Sequence, residues 1–143
     1  MKVLVLSVLM VAAVGTSDAQ WRDIFDRAKN SVKSASDFVG GAVRGTGSMV
    51  NAYTDMRDAN FKNSDKYFHA RGNHDAASHG SGGKWAAGLI SNTREWVDRN
   101  IKGDSAASSA ADQAANLHGR SGGDPNRYRP KGLPSKYRKK RHV

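Results

Sequence analysis

Residues 21 to 56 read WRDIFDRAKNSVKSASDFVGGAVRGTGSMVNAYTDM, and apolar or small residues recur in this stretch at alternating steps of four and three. The stripe consists of Trp21, Phe25, Ala28, Val32, Ala35, Val39, Ala42, Thr46, Met49, Tyr53 and Met56, widened by Ile24, Phe38, Val43 and Val50. This period is helical. Gly40, Gly41, Gly45 and Gly47 each cost a helix up to about 1 kcal/mol relative to Ala. The pattern predicts one long helix with a soft middle, or two helices meeting near Gly40 and Gly41.

Three shorter helices are predicted after this stretch. Ser64 is a suitable N-cap for a helix over 64–78, and the run Gly80 to Gly83 is expected to end it and turn the chain. A third helix is predicted from about Gly83 to Ile101, and an Ala-rich fourth from Ser105 to about His118, with Gly119 as its C-cap. Four helices with short connections predict an all-α fold, a four-helix bundle with a long N-terminal helix.

The N-terminus carries a secretion signal. One basic residue, Lys2, precedes an apolar run over 3–14, and Ser17-Asp18-Ala19 offers small residues at the two positions that a signal peptidase reads. The run is shorter than the roughly 20 apolar residues of a membrane-spanning helix. We therefore expect residues 1–19 to be a signal peptide, and the protein to be secreted and extracellular from Gln20.

Composition predicts one small domain without disulfides. About 124 residues remain after the signal, and none is Cys. We assign the helical bundle to residues 20–119 and an irregular basic tail to residues 120–143, where Pro and Gly occur and no helical apolar period is present. A wide apolar stripe without disulfide bracing favours self-association, so a homo-oligomer is expected when the chain is free of lipid.

The tail holds most of the formal net charge of +10. The candidate polyanion-binding residues are Arg127, Arg129, Lys131, Lys136, Arg138, Lys139, Lys140 and Arg141. For a secreted protein the available polyanions are heparan sulfate, bacterial lipopolysaccharide and anionic lipid, so nucleic acid is not an expected partner. The run 138–141 is also similar to sites of basic-specific proteases, which leaves trimming of the tail open.

An enzymatic function is not indicated. The chain has no Cys, no nucleophile elbow, no P-loop and no dinucleotide fingerprint. His69, His74 and His79 are spaced by five residues, about 140° around a helix, so neighbours do not share a face. The i,i+4 pairs Asp65/His69 and Asp75/His79 are interpreted as ion pairs rather than weak metal pairs. No catalytic residue, metal site or required cofactor is predicted.

The run NFKNSDKYFHARGN at 60–73 closely resembles the signature of the serum amyloid A family, the secreted acute-phase apolipoproteins. Other blocks resemble the family in the same order, so the resemblance covers roughly 49–137; they lie at 52–57, 85–91, 111–116 and 119–137. The resemblance implies a tapered four-helix bundle with the C-terminal tail wrapped around it.

The resemblance also implies that the first and third helices bind high-density lipoprotein and phospholipid surfaces through their apolar faces. Carried to this chain, the lipid-binding residues are Trp21, Ile24, Phe25, Val32, Phe38, Val39, Val43, Met49, Val50, Tyr53, Met56, Trp85, Leu89, Ile90, Trp96 and Val97. Those before Met49 rest on periodicity alone. A retinol or lipid ligand, known in the family, would use the same apolar surface.

Some family properties are less directly transferable. Two arginines associated with the family's glycosaminoglycan site are replaced by Asn51 and His79, so we expect the basic tail to bind polyanions instead. The uncharged segment 38–43 is the candidate for amyloid stacking, although its two glycines weaken that tendency.

Two further functions remain alternatives to lipid binding. One is a soluble innate-immune signalling protein that acts on cell receptors or bacterial surfaces without lipoprotein, and the other is an antimicrobial protein that acts on membranes.

Overall fold

The structure, a computed structural model, describes residues 18–101, 103 and 105–139, with side chains from Arg22 onward. The all-α prediction is confirmed, since the described residues form helices and no strand. The elements are α1 (Asp18–Ala59), α2 (Asp65–Ala77), α3 (Gly80–Asn100), α4 (Ala106–Arg120) and two short 3-10 helices, Pro125–Tyr128 and Ser135–Tyr137. The expected apolar run of the signal peptide, the side chain of Trp21, and Lys140 and Arg141 lie outside the described residues.

The chain divides into two compact units, residues 1–36 and 37–143. The described part of the first unit is the beginning of α1, and every described side chain over 22–36 is exposed. Among the described residues, no helix has both the length and the apolar content that crossing a bilayer requires. The described part of the first unit is therefore an amphipathic helical segment whose apolar side chains are exposed.

In the second unit, α1 continues unbroken through Gly40 and Gly41, as the one-helix alternative predicts. Gly41 and Gly45 allow the helix to pass the start of α3 at close range. A Cβ built on Gly41 would lie 2.5 Å from the carbonyl oxygen of His79, and one on Gly45 would lie 2.6 Å from the Cα of Gly83. Real Cβ atoms do not approach other atoms this closely, so only glycine fits there.

The prediction that Gly80 to Gly83 turns the chain is wrong, because α3 already begins at Gly80. Only Ser78 and His79 form the turn, and Gly80 supplies its left-handed backbone, with φ +82°. Gly82 and Gly83 lie inside α3. Glycine is required at both positions because a Cβ at Gly82 would overlap the carbonyl oxygen of Phe38, and a Cβ at Gly83 would overlap that of Ala76.

The prediction that Gly119 caps the fourth helix is also wrong, because this glycine serves a close contact between helices. Helix α4 continues to Arg120, and Gly119 is buried where a Cβ would overlap the carbonyl oxygen of Ala70 in α2. Ser64 precedes α2 as predicted, but its hydroxyl donates to the carbonyl of Phe61 at 2.7 Å instead of capping the helix. Ser105 does cap α4, since its Oγ accepts the backbone N–H of Ser108 at 3.1 Å.

The centre of the second unit is an aromatic cluster that the tail completes. Tyr67 and Phe68 of α2 are buried with Leu133 and Tyr137 of the tail. The ring centroids of Tyr67 and Phe68 are 5.1 Å apart, and those of Phe68 and Tyr137 are 5.7 Å apart, both edge to face. Met56, Ala59, Phe61 and Tyr128 pack around this cluster. The described tail is thus wrapped onto the helices, as the resemblance implies.

Candidate functional site

The apolar residues predicted to bind lipid in the first unit are exposed. Phe25 is 58% exposed and Val32 is 71% exposed, while Ile24 is more covered. Polar residues occupy the positions between these apolar residues, which recur at helical spacing, so this part of α1 has one apolar side and one polar side.

In the second unit, exposed apolar side chains project from two crossing helices, and we call them the α1–α3 apolar set. Its members, each at least 46% exposed, are Val39, Val43, Val50, Tyr53, Trp85, Leu89 and Trp96. Phe38 is 37% exposed and contacts Trp85, with ring centroids 5.9 Å apart. Burying such side chains is worth about 1.5–3 kcal/mol each. Leaving this many in water favours an apolar partner.

Four other predicted lipid residues are half-buried, namely Met49, Met56, Ile90 and Val97. Met49, Met56 and Ile90 line a largely apolar cavity of about 250 Å³ between α1, α2 and α3. Phe68 and Gly72 form its floor on the α2 side, and sequence reasoning missed both because nothing in their spacing marks a cavity. At its edge the guanidinium of Arg94 lies 5.1 Å from the ring centroid of Tyr53, a cation–π contact.

The tail cations predicted to bind polyanions divide into two groups. Lys136 Nζ lies 3.0 Å from Asp58 Oδ2, Lys139 pairs with Asp75, and Arg129 donates to the backbone carbonyls of Leu133 and Pro134. Those three cations already have partners within the fold. The second group consists of Arg127, Lys131 and Arg138, which are exposed and pair with no acid in the described part of the chain.

The pairing at Asp58 changes the titration of both partners. Hydrogen bonds from Tyr137 and Lys136 hold the pKa of the Asp58 carboxyl below its usual value. Hydrogen bonding to Tyr137 and Asp58 raises the pKa of Lys136. The tail is therefore held on α1 by groups that are charged across the physiological range. Burial raises the pKa of Tyr67, the phenol at the centre of the core.

A network of buried polar side chains joins α2, α3 and α4, and sequence reasoning did not predict it. Asn73 Nδ2 lies 2.9 Å from Ser91 Oγ and from Asn116 Oδ1, and His69 Nδ1 lies 3.0 Å from the same Asn116 oxygen. Asn73 and Asn116 are fully buried. Amide side chains inside helices are most often solvated, so no spacing signal distinguishes these two.

Neither ion pair predicted at i,i+4 forms among the described residues. His69 lies 3.9 Å from Glu95 instead of pairing with Asp65. Asp75 pairs with Lys139 and lies 3.5 Å from His74, whereas His79 Nε2 lies 3.1 Å from Ser48 Oγ. The reason is tertiary: His69 faces α3 across the core, and the tail reaches Asp75.

Comparisons with known proteins agree with one another. A family model described as serum amyloid A protein matches residues 36–137. The chain is 63% identical over 100 residues to the serum amyloid A-2 protein of Oryctolagus cuniculus, covering 70% of this chain and 81% of that protein. It is 58% identical over 106 residues to the serum amyloid A protein of Notamacropus eugenii, covering 74% and 84%. It is 54% identical over 110 residues to that of Anas platyrhynchos, covering 77% and 87%.

Proposed function

The chain belongs to the serum amyloid A family, and on that premise we propose that it is a secreted, non-enzymatic acute-phase protein that binds lipid surfaces. High-density lipoprotein and phospholipid membranes are the proposed partners, and the apolar side chains of α1 and α3 make the contact. One observation carries the proposal: the α1–α3 apolar set stays largely exposed in the folded chain. An apolar face left in water gains free energy on reaching a lipid interface.

The exposed start of α1 supports the same function. A helical segment whose side chains are exposed is only marginally stable in water. At a lipid interface its apolar side, which includes Phe25 and Val32, would be buried, and its charged side would stay hydrated. Lipid binding would therefore stabilise helix in the first unit as well as bury the set in the second.

A matched pair of leucines tests this function. Leu89 in α3 and Leu117 in α4 are both 54% exposed, but only Leu89 belongs to the α1–α3 apolar set. We expect Leu89→Gln to weaken binding to phosphatidylcholine vesicles by about tenfold or more, the loss of one buried leucine. Leu117→Gln should change it by less than about twofold. Flotation and far-ultraviolet circular dichroism give the readout; equal losses in both variants would refute the proposal.

A retinol or lipid ligand is proposed for the cavity between α1, α2 and α3. At about 250 Å³ the cavity is small beside the roughly 300–1,000 Å³ of sites that enclose a whole small molecule. It would accept one end of an apolar ligand, with Arg94 at the rim for a polar group. Quenching of the protein's intrinsic fluorescence by added retinol, and loss of that quenching in Ile90→Gln, would support the assignment.

Heparan sulfate binding by the tail is proposed for the cations that pair with no acid among residues 18–101, 103 and 105–139. Arg127, Lys131 and Arg138 are the described members of that group, and Lys140 and Arg141 follow them in sequence. The triple variant R127Q/K131Q/R138Q should elute from heparin at clearly lower salt than the wild type. The matched control, R22Q/R27Q/K29Q, removes the same charge from the first unit and should elute near wild type if the tail is the site.

Deleting residues 138–143 is a poorer test than these substitutions. The backbone N–H of Lys139 donates to the Tyr67 hydroxyl at 2.8 Å, and the Lys139 ammonium pairs with Asp75. Removing the segment would therefore disturb the core together with the charge.

A second candidate function, binding to bacterial surfaces or cell receptors without lipoprotein, is favoured by the exposed tail cations Arg127, Lys131 and Arg138. Salt-sensitive binding to bacteria that lipid does not alter would support it. We also propose that the lipid-free chain is a homo-oligomer that covers part of the α1–α3 apolar set. Sedimentation with and without lipid tests this, and a monomer at micromolar concentration would exclude it.

A further inference from the structure

One imidazole and two carboxylates meet inside the bundle of the second unit. His69 comes from α2, Glu95 from α3 and Asp112 from α4, and one ligand atom of each lies within 4.8 Å of the other two. The side chains of His69 and Glu95 are only 6% and 5% exposed. Positions so far apart in the chain form no spacing motif, so the sequence alone does not reveal the cluster.

Two carboxylate oxygens of this cluster are buried without a hydrogen bond. Glu95 Oε1 and Asp112 Oδ1 accept none from the described part of the chain. The ring nitrogen Nδ1 of His69 lies 3.9 Å from Glu95 Oε1, and the ammonium of Lys66 lies 3.5 Å from Asp112 Oδ1. Lys66 is 44% exposed and can turn into solvent. A buried carboxylate oxygen without a donor is costly, so this arrangement favours a bound cation.

We propose that His69, Glu95 and Asp112 bind a divalent transition-metal ion, with Zn²⁺ as the representative. One imidazole nitrogen and two carboxylate oxygens form a donor set that zinc accepts, whereas calcium requires six or more oxygens. Zinc ligands lie about 2.0–2.2 Å from the ion in a tetrahedral arrangement, so any two are about 3.3–3.6 Å apart. The ligand atoms, which lie within 4.8 Å of one another, would approach by up to about 1.5 Å through side-chain rotation to close the site around the ion. The two carboxylates balance its charge.

Neighbouring polar groups already orient two of the ligands. Asn116 Oδ1 accepts from both Asn73 and His69 Nδ1, which leaves the lone pair of the imidazole on Nε2. Metal-bound histidines usually donate their other ring N–H to such an acceptor. Ser109 donates to Glu95 Oε2 at 2.9 Å, which leaves Oε1 as the ligand oxygen. The ligands are thus held in position before the ion arrives.

A metal ion here would link three helices that are otherwise joined by packing and hydrogen bonds. Because the ligands are brought together only in the folded chain, bound zinc would stabilise the native state. None of the three ligands belongs to the α1–α3 apolar set or to the tail cations, although His69 also lines the cavity between α1, α2 and α3. Zinc binding can therefore be tested without lipid.

Zinc chloride titrated into the full chain, after removal of metal with a chelator, tests the proposal. We expect one Zn²⁺ per chain by calorimetry and a melting temperature raised by several degrees. Glu95→Gln and Asp112→Asn should each lower the affinity about tenfold or more. His79→Gln, which removes an imidazole outside the cluster, should leave the affinity unchanged. No binding by the wild-type chain, or equal affinity in the carboxylate variants, would overturn the proposal.

A measurement on the wild-type chain keeps the test decisive if a carboxylate variant does not fold. Imidazole nitrogen resonances report each histidine separately, and zinc should shift those of His69. Shifts confined to His74, His79 or His118 would place the ion on the surface and contradict the assignment.

Discussion

The phenolic hydroxyl of Tyr67 in α2 donates a hydrogen bond to the backbone carbonyl of Tyr137, seventy residues further along the chain. The same carbonyl accepts from Arg71 Nη1 at 3.2 Å, and the Tyr67 oxygen accepts the backbone N–H of Lys139 at 2.8 Å. Tyr67 is fully buried. One side chain of α2 therefore hydrogen-bonds to the tail backbone on both sides of Arg138 and fixes the tail on the core.

Tyr67→Phe keeps the aromatic ring and removes only this hydroxyl. The N–H of Lys139 and one interaction of the Tyr137 carbonyl would then lack a partner, which costs about 1–3 kcal/mol of unfolding free energy. Urea unfolding followed by circular dichroism measures the loss. Tyr53→Phe is the control, because the Tyr53 ring is 46% exposed and the change should stay within about 0.5 kcal/mol. Equal stability of the two variants would mean that the Tyr67 hydroxyl does not hold the tail.

Two glycines in helices predict opposite responses to alanine. A Cβ at Gly82 would overlap the carbonyl oxygen of Phe38, whereas one at Gly47 would meet nothing within 4 Å. Gly82→Ala should destabilise the fold by about 1–3 kcal/mol or more, because α1 and α3 must move apart. Gly47→Ala should stabilise it by about 0.5–1 kcal/mol through helix propensity. The midpoints of urea unfolding measure both changes in stability. If Gly82→Ala left the unfolding free energy unchanged, that result would contradict the close crossing of α1 and α3.

The cap of α4 gives a smaller effect. Ser105 Oγ accepts the backbone N–H of Ser108 at 3.1 Å, so Ser105→Ala removes an acceptor from the first turn. We expect a loss of about 0.5–2 kcal/mol in unfolding free energy. Ser108→Ala keeps the N–H that is capped and changes an exposed side chain, so it should be neutral or slightly stabilising. If both substitutions cost the same, capping by Ser105 is not the reason.

The helices themselves could be predicted from sequence, because an apolar period of 3.6 is a local property. The roles of Gly82 and Gly119 could not, since each depends on which backbone lies opposite once the helices pack. Glycine in a sequence indicates a turn as readily as a close crossing. Only the second interpretation explains why both lie inside helices.

The candidate sites also divide into features that the sequence predicts and features that depend on tertiary contacts. The exposed apolar side of α1 and α3 follows from periodicity, and the basic tail follows from composition. The partners of Lys136 and Lys139 could not be predicted, because Asp58 and Asp75 lie 78 and 64 residues away in the chain. The cluster of His69, Glu95 and Asp112 likewise exists only after three helices have met.

Acid should weaken the attachment of the tail to α1. The hydrogen bonds from Tyr137 and Lys136 lower the pKa of Asp58 in the folded state, so the carboxylate contributes stability above the unfolded value of about 3.9. That contribution is lost as the pH falls from about 3.9 through the lower pKa of the folded state. The unfolding free energy of the wild type should therefore fall in this window, and that of Asp58→Asn should fall less.

Asp26→Asn, which changes an exposed carboxylate of the first unit, is the control and should retain the wild-type slope. Urea unfolding at a series of pH values between about 6 and 2 provides the comparison, and identical slopes for the wild type and Asp58→Asn would show that this carboxylate is not linked to the tail.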